Sequence, residues 1–178
     1  MKIVLACLAA LLPLLAQPLR LETKIPLNVQ GRIDHFTADV KGQRLFMAAL
    51  GNNTVEVIDL AAGKVTRGIK GFHEPQGLFY FPDDGRLYVA NGETGHVDVL
   101  DGASFQPIKT LDFNSDADNL RFDPKSKEVY VGYGAGALGV INAALGTRVG
   151  ETMLDAHPES FRLEDALEKL GGLMENTA

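Results

Sequence analysis

A short motif returns at a fixed interval along this chain. Arg44-Leu45-Phe46 is followed by Arg86-Leu87-Tyr88 and then by Glu128-Val129-Tyr130, so the position advances in equal steps from 44 to 86 to 128. Asp59 recurs as Asp101 and then as Asn142, at nearly the same interval. A fixed period near 40 that contains short alternating strands is typical of a β-propeller, where each repeat forms one four-stranded blade. The spacing therefore predicts an all-β chain of antiparallel blades.

The second repeat shows how each blade is expected to be built. An apolar run over 77–81 ends at Pro82-Asp83-Asp84-Gly85, a sequence of turn-forming residues. A second strand follows over 86–91, and the segment 96–101 alternates between apolar and polar residues, as a half-buried strand does. A weaker outer strand begins at Pro107. Four antiparallel strands per period are one propeller blade.

These repeats divide the chain into segments. We expect blades over about residues 31–70, 73–112 and 116–152, and the start of a fourth over 156–164, all within a partial propeller spanning 17–164. Leu19 to Leu27 has the pattern of an outer strand, and 165–178 has the spacing of a short helix or forms a tail. Rings typically need about 4 to 8 blades, so three blades and a remnant cannot close one. The pattern favours a truncated piece of a longer propeller over self-association of copies through the open blade face.

The N-terminal segment 1–16 has the layout of a secretory signal peptide. Lys2 precedes an apolar run from Ile3 to Leu15, and Ala16 is a small residue suited to cleavage before Gln17. The run is shorter than the roughly 20 residues that span a bilayer, so no stable membrane insertion is expected. Cys7, the single cysteine, lies inside this segment. We therefore expect a periplasmic or secreted protein without disulfides.

Composition excludes some classes of partner. The chain is 46% hydrophobic and 22% charged, which argues against wholesale disorder. Its formal net charge is −6, and no basic stripe is visible in the sequence. Binding to a nucleic-acid backbone depends on such a stripe. Nucleic acid is therefore not an expected partner.

Polar residues recur where each unit enters its innermost strand. Alignment of the four units at their first apolar residue places Asp34, Gln76, Asp118 and Glu159 at equivalent positions. Two residues earlier, in the preceding turn, the units carry Arg32, Glu74, Asp116 and His157. Innermost strands line the propeller axis, so these positions are expected to meet at one mouth of the channel. The candidate ligand-binding residues are Asp34, His35, Gln76, Asp118, Asn119 and Glu159.

The carboxylates among these candidates suggest a cation site. Asp34, Asp118 and Glu159 offer the oxygen ligands that Ca²⁺ prefers. The same residues could instead bind a cationic or polyhydroxy ligand, or only hydrate the mouth and cap turns. His35 is a candidate base or transition-metal ligand, with a packing role as the alternative. No His-x-x-x-His pair is present, so the sequence lacks zinc-type spacing.

Two other motifs carry little weight. Gly134 to Gly139 matches the dinucleotide fingerprint G-x-G-x-x-G, but the repeat places a strand after it, whereas that fingerprint needs a helix. The serines of the chain lack the context of a nucleophile elbow. No residue is assigned as catalytic on these grounds.

The repeats resemble YVTN-type, or YncE-like, propeller repeats. The tetrapeptide that names this family stands here as Tyr88-Val89-Ala90-Asn91. The segment from His96 to Asp101 looks like the strand that follows this tetrapeptide in the family. The resemblance covers about residues 19–164 and implies an exported propeller, often of seven blades. The resemblance is specific for the fold and not for the function, and our leading hypothesis is a binding or scaffold module for a small molecule or protein at the channel mouth. A metal-assisted, lactonase-like hydrolase and an inactive fragment of a longer propeller are the alternatives.

Overall fold

A computed structural model describes residues 19–163 of the protein. The expected signal peptide over 1–16 and the expected C-terminal helix or tail over 165–178 lie outside these residues. The described part is almost entirely β-structure, with one short 3₁₀ turn at Leu50–Asn52. Among these residues there is no helix long and apolar enough to cross a membrane.

Twelve strands form three four-stranded antiparallel sheets, one for each repeat. Each sheet orders its strands as they occur in the sequence, as expected of a propeller blade. Blade 1 contains β1 (Phe36–Asp39), β2 (Arg44–Ala49), β3 (Thr54–Asp59) and β4 (Lys64–Lys70). Blade 2 contains β5 (Pro75–Phe81), β6 (Arg86–Asn91), β7 (His96–Asp101) and β8 (Pro107–Asp112). Blade 3 contains β9 (Ala117–Asp123), β10 (Glu128–Tyr133), β11 (Ala137–Asn142) and β12 (Thr147–Met153).

The sequence period is reproduced in the strand register. Arg44 pairs with Asp59, Arg86 with Asp101, and Glu128 with Asn142, so the recurring positions are cross-strand partners within each blade. The third and fourth strands of every blade also share a register shift at the same place. The period therefore measures one complete blade.

The blades pack face to face through apolar side chains. Phe46, Val57, Leu87 and Val89 are buried in the core between blades 1 and 2. Tyr88, Val99, Phe113, Val131 and Ile141 are buried in a second core between blades 2 and 3. A blade that is apolar on both faces needs a neighbour on each side to cover it.

An arginine joins each blade to the next. Arg44 Nη1 of blade 1 donates to the carbonyl of Gly102 in blade 2 at 2.7 Å. One repeat later, Arg86 Nη1 of blade 2 donates to the carbonyl of Ala144 in blade 3. The donor position advances from 44 to 86 and the acceptor position from 102 to 144, which is one full repeat for both. The third repeat has Glu128 at the arginine position, so this bond cannot recur from blade 3.

The N-terminal segment differs from the prediction. Residues 19–30 form no strand, although Leu19 to Leu27 has the pattern of one. Ile25, Leu27 and Val29 instead pack their side chains on Met47 and its neighbours, on the outer face of blade 1. The alternation in the sequence is therefore explained by apolar packing without a hydrogen-bonded ladder.

The described part of the fourth unit also forms no strand. Residues 156–163 lack a second strand of their own with which to pair among the described residues. Two side chains of blade 3 hold its carbonyls instead, since Asn119 donates to Glu159 and Arg121 Nε donates to Phe161 at 3.2 Å. Pro158 is buried against Gly132 of β10. Over the described residues 156–163, called here the strap, this unit therefore lies across blade 3.

Candidate functional site

The innermost strands of adjacent blades lie side by side and close together. The tightest approach is at Gly77 of β5, where an added Cβ would stand 2.0 Å from the carbonyl oxygen of Asp118 in β9. Only glycine fits at that backbone distance. The turns that precede these strands, called here the leading turns, therefore lie near one another at one end of the blades.

The leading turns meet the turns between the second and third strands. A Cβ on Gly51 would clash with the backbone of Gln30 and Gly31, and the backbone N–H of Glu74 donates to Asn53 Oδ1 at 2.8 Å. We call this end of the blades the mouth face. It is formed by the leading turns (30–35, 73–76, 114–118 and 156–159) and the middle turns (50–53, 92–95 and 134–136).

A β-bulge places the candidate residues at the mouth face. Asp118 and Asn119 together oppose a single residue of β10, because the register shifts between Val131 and Tyr133. Gln76 and Gly77 occupy the same bulge in blade 2. In blade 1 the backbone bonds from Asp34 N to Ala48 O and from Ala48 N to His35 O give an equivalent arrangement. Bulges of this kind re-aim side chains and often lie beside functional sites.

Asp118 is the buried centre of the site. The residue is only 5% exposed, and Asn119 Nδ2 donates to its Oδ2 at 3.0 Å. Burial raises the pKa of Asp118 above its usual range, and repulsion from Asp34 acts in the same direction, against the opposing effects of His35 and His157. A buried carboxylate with a raised pKa is stabilised by any cation that binds beside it.

His157 faces this carboxylate from the strap. Its Nδ1 donates to the carbonyl of Gly134 at 2.5 Å, which leaves Nε2 directed at Asp118 Oδ2, 3.6 Å away. Burial opposes protonation of His157, but the Gly134 bond and the nearby carboxylates of Asp116 and Asp118 together raise its pKa. Donor atoms of Asp118, His157 and Glu159 all lie within 4.8 Å of one another.

Asp34 lies outside this cluster, in contrast to the predicted metal set of Asp34, Asp118 and Glu159. Its Oδ2 accepts from Arg32 Nη2 at 2.8 Å, so the carboxylate already has a cationic partner. His35 Nδ1 lies 2.8 Å from Asp34 Oδ1, but the two atoms are not oriented for a hydrogen bond. Within residues 19–163, this buried nitrogen has no hydrogen-bond partner. Both residues act on Asp118 through charge.

The other two predicted residues, Gln76 and Asn119, contact neighbouring residues of the mouth face in different ways. Gln76 Nε2 lies over Gly92, close enough that a Cβ there would stand 1.9 Å from it. Asn119 is fully buried and bonds to Asp118, to the Glu159 carbonyl and to Arg121, so it supports its neighbours and is closed to solvent. His157 was not among the predicted site residues. The available signal was its place beside Asp116 in the aligned leading turns.

The Gly134–Gly139 segment is a hairpin, as the repeat predicts. Gly134 and Gly136 lie in the turn between β10 and β11, and strand β11 follows over Ala137–Asn142. In the described part of the chain no helix follows the glycines to direct its amides at a pyrophosphate. The segment contributes the Gly134 carbonyl to the mouth face.

Comparison with known proteins supports the architecture. No protein-family model and no curated protein sequence matches the chain. Among solved structures, hydrazine synthase from Kuenenia stuttgartiensis is similar, with a TM-score of 0.65 and 24% identity over 79% of this chain. The match covers 40% of that chain, so the present chain spans less than half its length. At this level of identity the similarity shows the fold, which is a propeller-type stack of antiparallel blades.

Proposed function

We propose that this chain is exported and that its YVTN-type propeller blades work as a binding module, with the mouth face as the ligand surface. The resemblance of Tyr88-Val89-Ala90-Asn91 to the family tetrapeptide supports the family, and the layout of 1–16 supports export. Export with cleavage predicts that the recovered protein begins at Gln17. N-terminal sequencing of periplasmic or secreted material would establish this, and a chain that keeps Lys2 would contradict it.

The observation that carries the proposal is the placement of carboxylates on the mouth face. The acidic residues of this face are Asp34, Glu74, Glu93, Asp116, Asp118 and Glu159. Arg32 is already paired with Asp34, and His73 lies 3.4 Å from Glu93. The negative field of the face favours a cationic ligand, because like charges grouped on one face add to its potential.

At the opposite end of the described blades, aspartates are engaged in turns. Asp101 accepts bonds from the backbone and hydroxyl of Ser104, and Asp123 accepts from Lys125 N and Ser126 Oγ. These turn bonds lower the pKa of both aspartates, since they stabilise the ionised form. Their carboxylates hold turns in place, so we assign ligand binding to the mouth face.

Titration of ¹⁵N-labelled protein with spermidine tests this assignment. Because spermidine is a flexible polycation, we expect weak, salt-sensitive binding with amide shift changes confined to the leading and middle turns. Asp116→Asn should reduce the binding, whereas Asp83→Asn at the opposite end should not. The two carboxylates are matched in exposure, with side chains 50% and 56% exposed. Shift changes centred on 82–85 or 102–106, or none at all, would refute the proposal.

A further inference from the structure

We infer that Asp118, His157 and Glu159 form a site for a zinc-class divalent cation on the mouth face. The site lies where the strap crosses the bulge of β9. The inference rests on the proposed binding function of the mouth face, and it names a ligand class for one part of that face. The contacts of these three residues and their immediate supports point to the ion.

The imidazole of His157 is already oriented for coordination. Its Nδ1 donates to the Gly134 carbonyl, which leaves Nε2, 3.6 Å from Asp118 Oδ2, as the ring nitrogen that can bind an ion in place of a proton. In metal sites the non-ligating histidine nitrogen almost always donates to a carbonyl or carboxylate in this way. His157 is also anchored by the buried Pro158 that follows it.

The separation of the donor atoms fits an ion better than a direct hydrogen bond. Nε2 of His157 and Oδ2 of Asp118 are 3.6 Å apart, which is too long for hydrogen bonding. A tetrahedral zinc ion with bonds of about 2.0–2.1 Å sets its ligand atoms about 3.4 Å apart. Glu159 has an exposed side chain, and a carboxylate oxygen of Glu159 lies within 4.8 Å of both other donor atoms.

Asn119 connects the two carboxylate ligands. Its side-chain amide donates to Asp118 Oδ2 at 3.0 Å and also to the backbone carbonyl of Glu159. Since Asn119 is fully buried, its position is fixed by the core of blade 3. Supports of this kind orient metal ligands and hold their spacing. The strap is therefore positioned over Asp118 before any ion arrives.

The donor set selects the class of metal. One imidazole nitrogen and two carboxylate oxygens suit Zn²⁺, Co²⁺ or Mn²⁺. Ca²⁺ takes about 6–8 oxygen ligands, and this cluster offers a nitrogen and few oxygens. The carboxylates alone suggest Ca²⁺, but with the His157 nitrogen the donor set points to a zinc-class metal ion. Three protein ligands leave a coordination position open to solvent on the side of Glu159.

Calorimetric titration of the chelator-treated full chain with ZnCl₂ tests the inference. We expect one equivalent to bind, with affinity reduced at least tenfold in His157→Gln and in Asp118→Asn. His73→Gln is the matched control, since His73 lies on the same face beside one carboxylate, that of Glu93, and its variant should bind as the wild type does. CaCl₂ at the same concentration should give no comparable binding. Equal affinity of the His157 and His73 variants would overturn the site.

A measurement on the unmodified protein covers the case in which a variant fails to fold. The chain has four histidines, and their ring nitrogens are observable by long-range ¹H–¹⁵N correlation. Addition of Zn²⁺ should shift the Nε2 resonance of His157 and leave its Nδ1 protonated. A shift confined to His35, His73 or His96, or no shift, would contradict the inference. If zinc fails while spermidine still maps to the mouth face, the metal site falls and the proposed binding function stands.

Discussion

At the scale of single residues, the bulge in β9 explains why Asp118 and Asn119 both direct their side chains to the site. Asp118 and Asn119 share one place opposite β10, so their side chains leave the regular alternation of the strand. One carries the buried carboxylate, and the other bonds to both Asp118 and the strap. Repeat alignment predicts that these positions are special because they recur once in every repeat. It cannot predict a bulge, since the sequence of one strand does not fix its register with the next.

The role of His157 shows where residue-level prediction fails. Zinc spacing within one segment is absent, so a search for His-x-x-x-His excludes the site. The cluster instead draws Asp118 from blade 3 and His157 and Glu159 from the strap, which belongs to the next repeat. Only the path of the strap brings them together. The repeat alignment predicts Asp34 as a ligand, whereas in the structure its carboxylate accepts a hydrogen bond from Arg32.

At the scale of elements, the repeat predicts blade strands closely. The second and third strands of blade 2 begin and end where their turns place them, at Arg86–Asn91 and His96–Asp101. Turn residues with fixed backbone preferences bound these strands, which explains the agreement. The first strand of this blade begins at Pro75, two residues before the predicted start at 77, and the last begins at Pro107 as predicted. The segment from Leu19 to Leu27 has the strand pattern but no strand beside it, and forms no ladder.

The arginine between blades 1 and 2 should be a strong element of stability. Arg44 donates to Asp39 through Nε and Nη2, and to Gly102 of the next blade through Nη1. Arg44→Met leaves the buried carboxylate of Asp39 without its cation, so we expect a loss of about 2–3 kcal/mol in the free energy of unfolding. Urea denaturation followed by circular dichroism measures this loss.

Lys127→Met is the matched control for the arginine. Lys127 also pairs with an aspartate, Asp83, but both side chains are about half exposed. Exposed pairs contribute little, so a loss of about 0.5 kcal/mol or less is expected. Similar losses in the two variants would show that the buried Asp39–Arg44 pair contributes no more to stability than an exposed pair does.

At the scale of the whole molecule, the stacking of the blades fixes the positions of the leading and middle turns that form the mouth face. Each blade is covered by its neighbour, and the outer face of blade 1 is covered by Ile25, Leu27 and Val29. The sequence predicts this architecture because a fixed period that contains four strands has few other solutions. It does not predict the mouth-face contacts, which depend on how closely the innermost strands approach. Gly77 reports that approach, since its backbone lies against the carbonyl of Asp118.

Strands β5 and β9 lie side by side with their backbones in contact, and the free energy of unfolding of Gly77→Ala measures how close that contact is. An added Cβ would stand 2.0 Å from the Asp118 carbonyl, so we expect a loss of about 3 kcal/mol. Gly150→Ala in β12 is the control, because its Cβ would meet only Val140 at 3.7 Å, and its stability should stay within about 0.5 kcal/mol of the wild type. A Gly77→Ala variant as stable as Gly150→Ala would contradict the radial stacking of the blades and the cation site built on it.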